Sequence, residues 1–152
     1  MDSCDCERIL YFMEDCSFKR ENLDLDRLLG EAGITVTAQR LLIAKMLFEK
    51  EQHLSAEQIL IRLSENATPV SKATVYNTLG LFAERGLIRE VVIDGMRIFY
   101  DTNASEHYHF YNVDNGELTD FPCEEAVIDN LPVPPSDTTT VGVDVVIRIK
   151  NN

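Results

Sequence analysis

The chain has 152 residues, 45% of them hydrophobic, with 14 Lys and Arg against 26 Asp and Glu and a formal charge of −12. This is material for one or two small globular cores, and no window approaches the roughly 18 apolar residues of a membrane span. The total charge excludes polyanion binding by bulk attraction, so any contact with nucleic acid must come from cations gathered on one face.

Residues 1–20 form an acidic segment that holds Cys4, Cys6 and Cys16. The longest apolar run there is short, so the segment does not read as a secretory leader, and a cytoplasmic protein is expected. With Cys123 these are the chain's four cysteines, and none sits in a Cys-x-x-Cys pair. Reduced thiols are therefore expected, and a structural zinc held by four cysteines is not.

The stretch "NLDLDRLLGEAG" (22–33) has apolar residues at 25, 28 and 29 and predicts a short amphipathic helix stopped by Gly33. "TAQRLLIAKMLFEKE" (37–51) follows with Thr37 as N-cap, and its dense apolar positions predict a largely buried helix. In "SAEQILIRLSENA" (55–67), Ser55 and Gln58 have the spacing of a capping box, and Pro69 closes the segment. A fourth helix, "SKATVYNTLGLFAERG", is capped by Ser71 and ended by Gly86. Val75, Leu79 and Phe82 make its inward stripe, which leaves Lys72, Ala73, Tyr76, Asn77 and Gly80 on the opposite face. "LIREVVI" and "MRIFY" flank Asp94-Gly95, a two-residue hairpin signal.

Three helices and a hairpin within about 65 residues describe a winged helix-turn-helix. Its helices at 37–51 and 55–65 support a reading helix at 72–85, and the hairpin 88–100 is the wing. Charge agrees with this division. Residues 34–100 carry 8 Lys and Arg against 7 Asp and Glu, whereas residues 1–33 have 4 against 9 and residues 101–152 have 2 against 10. The acid lies in the flanks.

Beyond residue 100 the texture changes. "HYHFYNV" and "ELTDF" flank Asp114-Asn115-Gly116 and predict a second hairpin. "EEAVIDNL" suggests a short helix, "PVPPSDTTT" is a loop, and "VGVDVVIRIK" reads as a strand with one buried face. So few residues do not make a comfortable solitary core, which points to completion across a dimer interface. The expected class is α+β: an N-terminal winged helix-turn-helix (21–100) followed by a small α/β dimerisation domain (101–152).

At this point the segments "GITVTAQR", "HLSAEQIL", "VSKATVYNTL" and "ERGLIREVVIDG" resemble the DNA-binding domain of the ferric uptake regulator (Fur) family. The resemblance covers roughly residues 25–150. The part from "FYDTNASEHYHFY" to "VGVDVVIRIK" is most similar to the Irr (iron response regulator) branch. That resemblance implies a transcriptional regulator, a repressor of iron and metal homeostasis, which binds a palindromic duplex as a homodimer. It implies no enzyme activity and no membrane partner. The residues it implies for DNA are Arg40, Ser71, Lys72, Thr74, Tyr76 and Asn77. The plainer readings are a half-buried core tyrosine for Tyr76 and a solvated charge for Arg40.

The family's sensory ligands fall on His53, His107 and His109, which are all the histidines of the chain. In a strand, residues 107 and 109 point to one side, so both imidazoles can reach one ion. Alone, each histidine would be an ordinary surface residue. The carboxylate is Asp101 or Glu106, because Tyr100 stands where many members have glutamate. The implied ligand is a divalent ion (iron, manganese or zinc) or haem. This chain also departs from the family pattern. Thr35 replaces a basic residue, and Asn112 and Asn115 occupy the positions of a zinc-binding cysteine pair. Two other classes fit some of these features. One is a winged helix used only for protein contact, and the other is a small non-haem metal enzyme.

Overall fold

A computed structural model of the chain describes residues 24–66 and 69–152. Cys4, Cys6 and Cys16, with the rest of the predicted 1–20 segment, lie outside the described residues. The chain divides after Ser105 into two compact units.

The first unit carries helices α1 (Leu25–Glu31), α2 (Ala38–Leu47), α3 (Ala56–Glu65) and α4 (Lys72–Glu84). Each begins on a side-chain oxygen that accepts an otherwise unsatisfied backbone N–H. Asp24 takes Arg27, Thr37 takes Arg40, Ser55 takes Gln58 and Ser71 takes Thr74. The expected capping box is complete, since Gln58 Oε1 accepts from the Ser55 N–H at 2.8 Å. Gly33 and Gly86 end α1 and α4 at φ +68° and +71°, a backbone region that side chains with a Cβ rarely enter.

Helix α2 stops at Leu47, short of the expected residue 51. Gln52 supplies the reason: its Nε2 donates to the carbonyls of Met46 and Leu47 at 2.8 and 2.9 Å, and so satisfies acceptors that a longer helix would have used. The chain then enters a strand that the sequence pattern did not reveal, β1 (His53–Leu54). It pairs antiparallel with β3 (Arg97–Asp101), which pairs in turn with β2 (Arg89–Asp94), in the order β1-β3-β2. The wing is present with its turn one residue later than expected. Asp94 pairs with Arg97, so Gly95 and Met96 form the loop. Asp94 Oδ1 accepts from both the Met96 and Arg97 N–H groups, which holds the aspartate at the strand end.

The core of this unit gathers Leu29, Ile43, Leu47, Ile59, Leu63 and Leu87 with the inward stripe of α4. Val75, Leu79 and Phe82 are buried as the spacing predicts, and Thr78 joins them.

The second unit is a three-stranded sheet in the order β5-β4-β6. Strands β4 (His107–Asn112) and β5 (Leu118–Pro122) form the expected hairpin, and β6 (Val146–Ile149) lies parallel to β4. Asn112 Nδ2 donates to Asn151 Oδ1, and the Asn151 N–H donates to Asp114 Oδ2, which ties the end of β6 to that hairpin. Two expectations change here. The helix expected over "EEAVIDNL" is only a 3-10 turn, Cys123–Glu125. Val127, Ile128 and Leu131 are exposed, so nothing packs against the apolar face that would stabilise a helix. The strand expected over 141–149 is confined to Val146–Ile149, and its buried face is absent within one chain: Val141 is 99% and Ile147 39% exposed. Among the described residues, no helix is long and apolar enough to cross a membrane.

Candidate nucleic-acid interface and metal ligands

Helix α4 sorts its side chains by its own periodicity. With Val75, Thr78, Leu79 and Phe82 turned inward, Lys72, Tyr76 and Asn77 are left exposed. The Lys72 ammonium lies 5.6 Å from the centre of the Tyr76 ring, within cation–π range. Ser71 and Thr74 also serve the helix itself. Their hydroxyl oxygens are 2.8 Å apart, and Ser71 Oγ also accepts the Thr74 N–H, so both belong to the cap that starts the helix. Arg40 is half-buried, and its Nη1 donates to the Thr35 carbonyl at 2.7 Å. That bond places the guanidinium against the segment just before α2.

In the first unit, the register of β1 on β3 sets His53 opposite Asp101. The His53 Nε2 lies 3.5 Å from Asp101 Oδ2. The other carboxylate oxygen of Asp101 accepts from the Asn103 N–H at 2.8 Å, which fixes the group's orientation. Asp101 ends the return strand of the wing and so belongs to the first unit, not to the second part of the chain as its place in sequence suggested. Tyr100, its neighbour, is buried in the core, and burial pushes its phenol up to about 12.

In the second unit His107 and His109 alternate with Tyr108 along β4 and are both buried. Tyr108 faces the other side, edge-on to Phe121. The two Nε2 atoms are 3.0 Å apart. Asp120 stands opposite His109 in the hairpin register, and its Oδ1 lies 3.6 Å from His107 Nε2 and 3.5 Å from His109 Nε2. Glu106, the other carboxylate candidate, is exposed and outside the set of converging donors.

The geometry suits a small cation. Two nitrogens each about 2.1 Å from one ion lie about 3.0 Å apart at a right angle and about 3.4 Å apart at a tetrahedral one. The His107–His109 separation falls at the first value, and imidazole with carboxylate is a donor set for Fe(II), Mn(II) or Zn(II).

Asp120 was not singled out from the sequence. Counting outward from the predicted turn at Asp114-Asn115-Gly116 pairs His109 with Phe121, whereas the observed register sets Tyr111 against Leu118 and so His109 against Asp120.

Comparison with known proteins adds three findings. The Ferric uptake regulator family matches residues 31–131. The peroxide-responsive repressor PerR of Staphylococcus aureus is 33% identical over 93 residues, which cover 61% of this chain and 63% of that protein. The chain thus matches somewhat under two thirds of that relative's length. Among solved structures, the ferric uptake regulator of Pseudomonas aeruginosa with manganese is 26% identical, with a TM-score of 0.62 over 86% of this chain and 98% of that one. The ferric uptake regulator of Vibrio cholerae, at 20% identity and a TM-score of 0.64, shares the fold over 84% of this chain and all of its own.

Proposed function

Because this chain belongs to the ferric uptake regulator family, we propose that it is a DNA-binding transcriptional regulator, a repressor of metal homeostasis genes, whose hold on DNA answers to a divalent ion. It works in the cytoplasm as a homodimer on a palindromic duplex. The observation that carries this reading is the buried pair His107 and His109, with Nε2 atoms 3.0 Å apart beside Asp120.

The proposed ligands are His53, Asp101, His107, His109 and Asp120. His53 and Asp101 offer two donors, fewer than the three or four protein ligands of a zinc site. His107, His109 and Asp120 offer three, as many protein ligands as a metal site with one open position uses. When bound, an ion would supply the positive charge that holds carboxylate and imidazole donors close together. Everything else is done by the chain. Asp101 and His53 lie on paired strands of the wing sheet. Gln52, next to His53, is locked to Thr102, next to Asp101, through its N–H at 3.1 Å. Its side chain holds the end of α2 and accepts from Arg62 of α3 at 2.9 Å. A pull on His53 or Asp101 would thus pass to the helices that support α4, and the ion would bias the equilibrium between two arrangements of this network.

Haem is the other ligand implied by the resemblance. The 3.0 Å approach of the two imidazole nitrogens favours a small ion held by both of them. Kinship with the Irr branch rests on "FYDTNASEHYHFY" and "VGVDVVIRIK" in the second half.

The test is a Mn(II) titration, the ion found in the Pseudomonas relative, on the full chain. His107→Ala and His109→Ala are expected to weaken binding by about 100-fold or more, beyond the cost of losing a mere hydrogen-bond partner of a ligand, with His53→Ala close behind. In parallel, duplexes are selected from a random pool. Tyr76→Ala is expected to weaken the selected duplex by about 1–3 kcal/mol, the scale of one good base contact. Parent-like Mn(II) affinity in all three histidine variants would remove the sensor from this site.

A further inference from the structure

Tyr76 stands on the exposed face of α4, yet its hydroxyl already has a partner. It donates to Glu57 Oε1 at 2.8 Å, from the reading helix to the first turn of α3. Glu57 is well anchored there. A carboxylate is favoured at a helix N-terminus. The Tyr76 hydroxyl first, and then Glu57's own N–H, hold its carboxyl below the ordinary range, with Lys72 and Ser55 adding to the effect against burial. The same bond raises the Tyr76 phenol. With Lys72 over the ring, an acceptor, an aromatic face and a cation form one fixed group on the surface.

We infer that Glu57 is a positioning residue for DNA recognition, which orients the Tyr76 ring through the hydroxyl and sets a negative charge where the duplex approaches. This rests on reading α4 as the DNA-contacting helix. The two effects separate cleanly. Repulsion of phosphates is blind to sequence and lowers affinity for every duplex alike. Orientation of a side chain that meets base edges matters only for the right sequence. A carboxylate at this place therefore trades total affinity for discrimination. This gives an acidic residue a purpose inside a face that binds a polyanion.

The two substitutions that divide these effects are Glu57→Gln, which keeps an acceptor oxygen and removes the charge, and Glu57→Ala, which removes both. Each is measured on the full chain with Mn(II), by fluorescence anisotropy, against a duplex enriched by the parent and a random duplex of equal length. Glu57→Gln is expected to tighten both duplexes by a similar factor, about threefold at low salt, and to keep the preference between them. Glu57→Ala is expected to tighten the random duplex equally while losing about tenfold in preference, the scale of one hydrogen bond to a charged group. Tyr76→Phe should lose a similar preference, and adding Glu57→Ala to it should cost nothing more. Without DNA, the tyrosine titration of the parent should show one phenol that returns toward the ordinary range in Glu57→Ala. Parent-like preference in Glu57→Ala, or equal loss in Glu57→Gln and Glu57→Ala, would overturn the assignment and leave the DNA reading standing. A parent that enriches no duplex would overturn both.

Discussion

Residues 24–105 and residues 106–152 use similar side chains to opposite effect. In the first unit the apolar faces of four helices converge on one another, and Phe82, Leu29, Ile43 and Leu63 are all closed off from water. In the second, the buried apolar residues are Tyr111, Leu118 and Phe121, whereas Val127, Val133, Val141, Ile147 and Ile149 remain exposed. Hydrophobicity alone does not make a core; a second layer must be present to cover the apolar face. Helices supply that layer in the first unit. The second has one small sheet, and in the proposed homodimer a second copy of the chain would cover it. The two histidines buried in so thin a unit are held by strand alternation and the hairpin register, and little else is needed to aim them.

The sharpest test of the contrast removes one phenyl ring from each unit. Phe82→Ala should cost about 3–5 kcal/mol, the usual range for a fully enclosed aromatic. Phe121 rests against Phe110 and Tyr108, with ring centres 4.5 and 5.8 Å away, on a thin sheet whose neighbours can relax. Phe121→Ala should cost less, about 1–3 kcal/mol. Urea unfolding followed by far-ultraviolet circular dichroism gives both values. Equal losses would mean that the second unit is as well enclosed as the first.

A smaller effect is expected from charge placed on exposed apolar positions. Ile147→Asp should shift the chain toward monomer at micromolar concentration, because it sets a carboxylate in the face proposed to be covered by the partner. Val92→Asp, at a wing position that is 58% exposed, should leave the oligomer unchanged. Light scattering of both variants decides the matter. A loss of dimer in Val92→Asp, with none in Ile147→Asp, would place the interface on the wrong unit.

The same contrast explains what the sequence made legible. The four helices of the first unit have their caps, stops and inward stripes written within a few residues of each other, so Ser55, Ser71, Gly33, Gly86 and the Val75-Leu79-Phe82 spacing could be read locally. The strand at His53 could not, because it is extended to pair with Tyr100 and Asp101, far along the chain. Nor could the early end of α2, which depends on the reach of Gln52 back to two carbonyls. In the second unit the alternation of His107, Tyr108 and His109 showed the two imidazoles on one side. The run 141–149 showed a strand, but only Val146–Ile149 pair in it. On the exposed face of α4, Lys72, Tyr76 and Asn77 followed from helical spacing. The partner of Tyr76 did not, because Glu57 belongs to another helix.

The smallest expected effect distinguishes two carboxylates that sequence reasoning could not rank correctly. Glu106 sits beside His107 in the chain, and that nearness suggested it as a ligand. Adjacent residues in a strand point to opposite faces, however, and Glu106 lies exposed just before β4 begins. Asp120 is far from both histidines in sequence but opposite His109 in register, with one oxygen within 3.6 Å of both Nε2 atoms. Asp120→Asn keeps the shape and removes the charge, so Mn(II) affinity should fall by about tenfold, within the range for perturbing a group that supports or binds a metal. Glu106→Gln removes a charge that water already screens, and the change should stay within about twofold. Isothermal titration of the two variants beside the parent would reveal the order. If Glu106→Gln proved the more damaging, the segment just before β4 would have to turn Glu106 toward the histidines when metal binds, and Asp120 would not be the carboxylate of the loaded state.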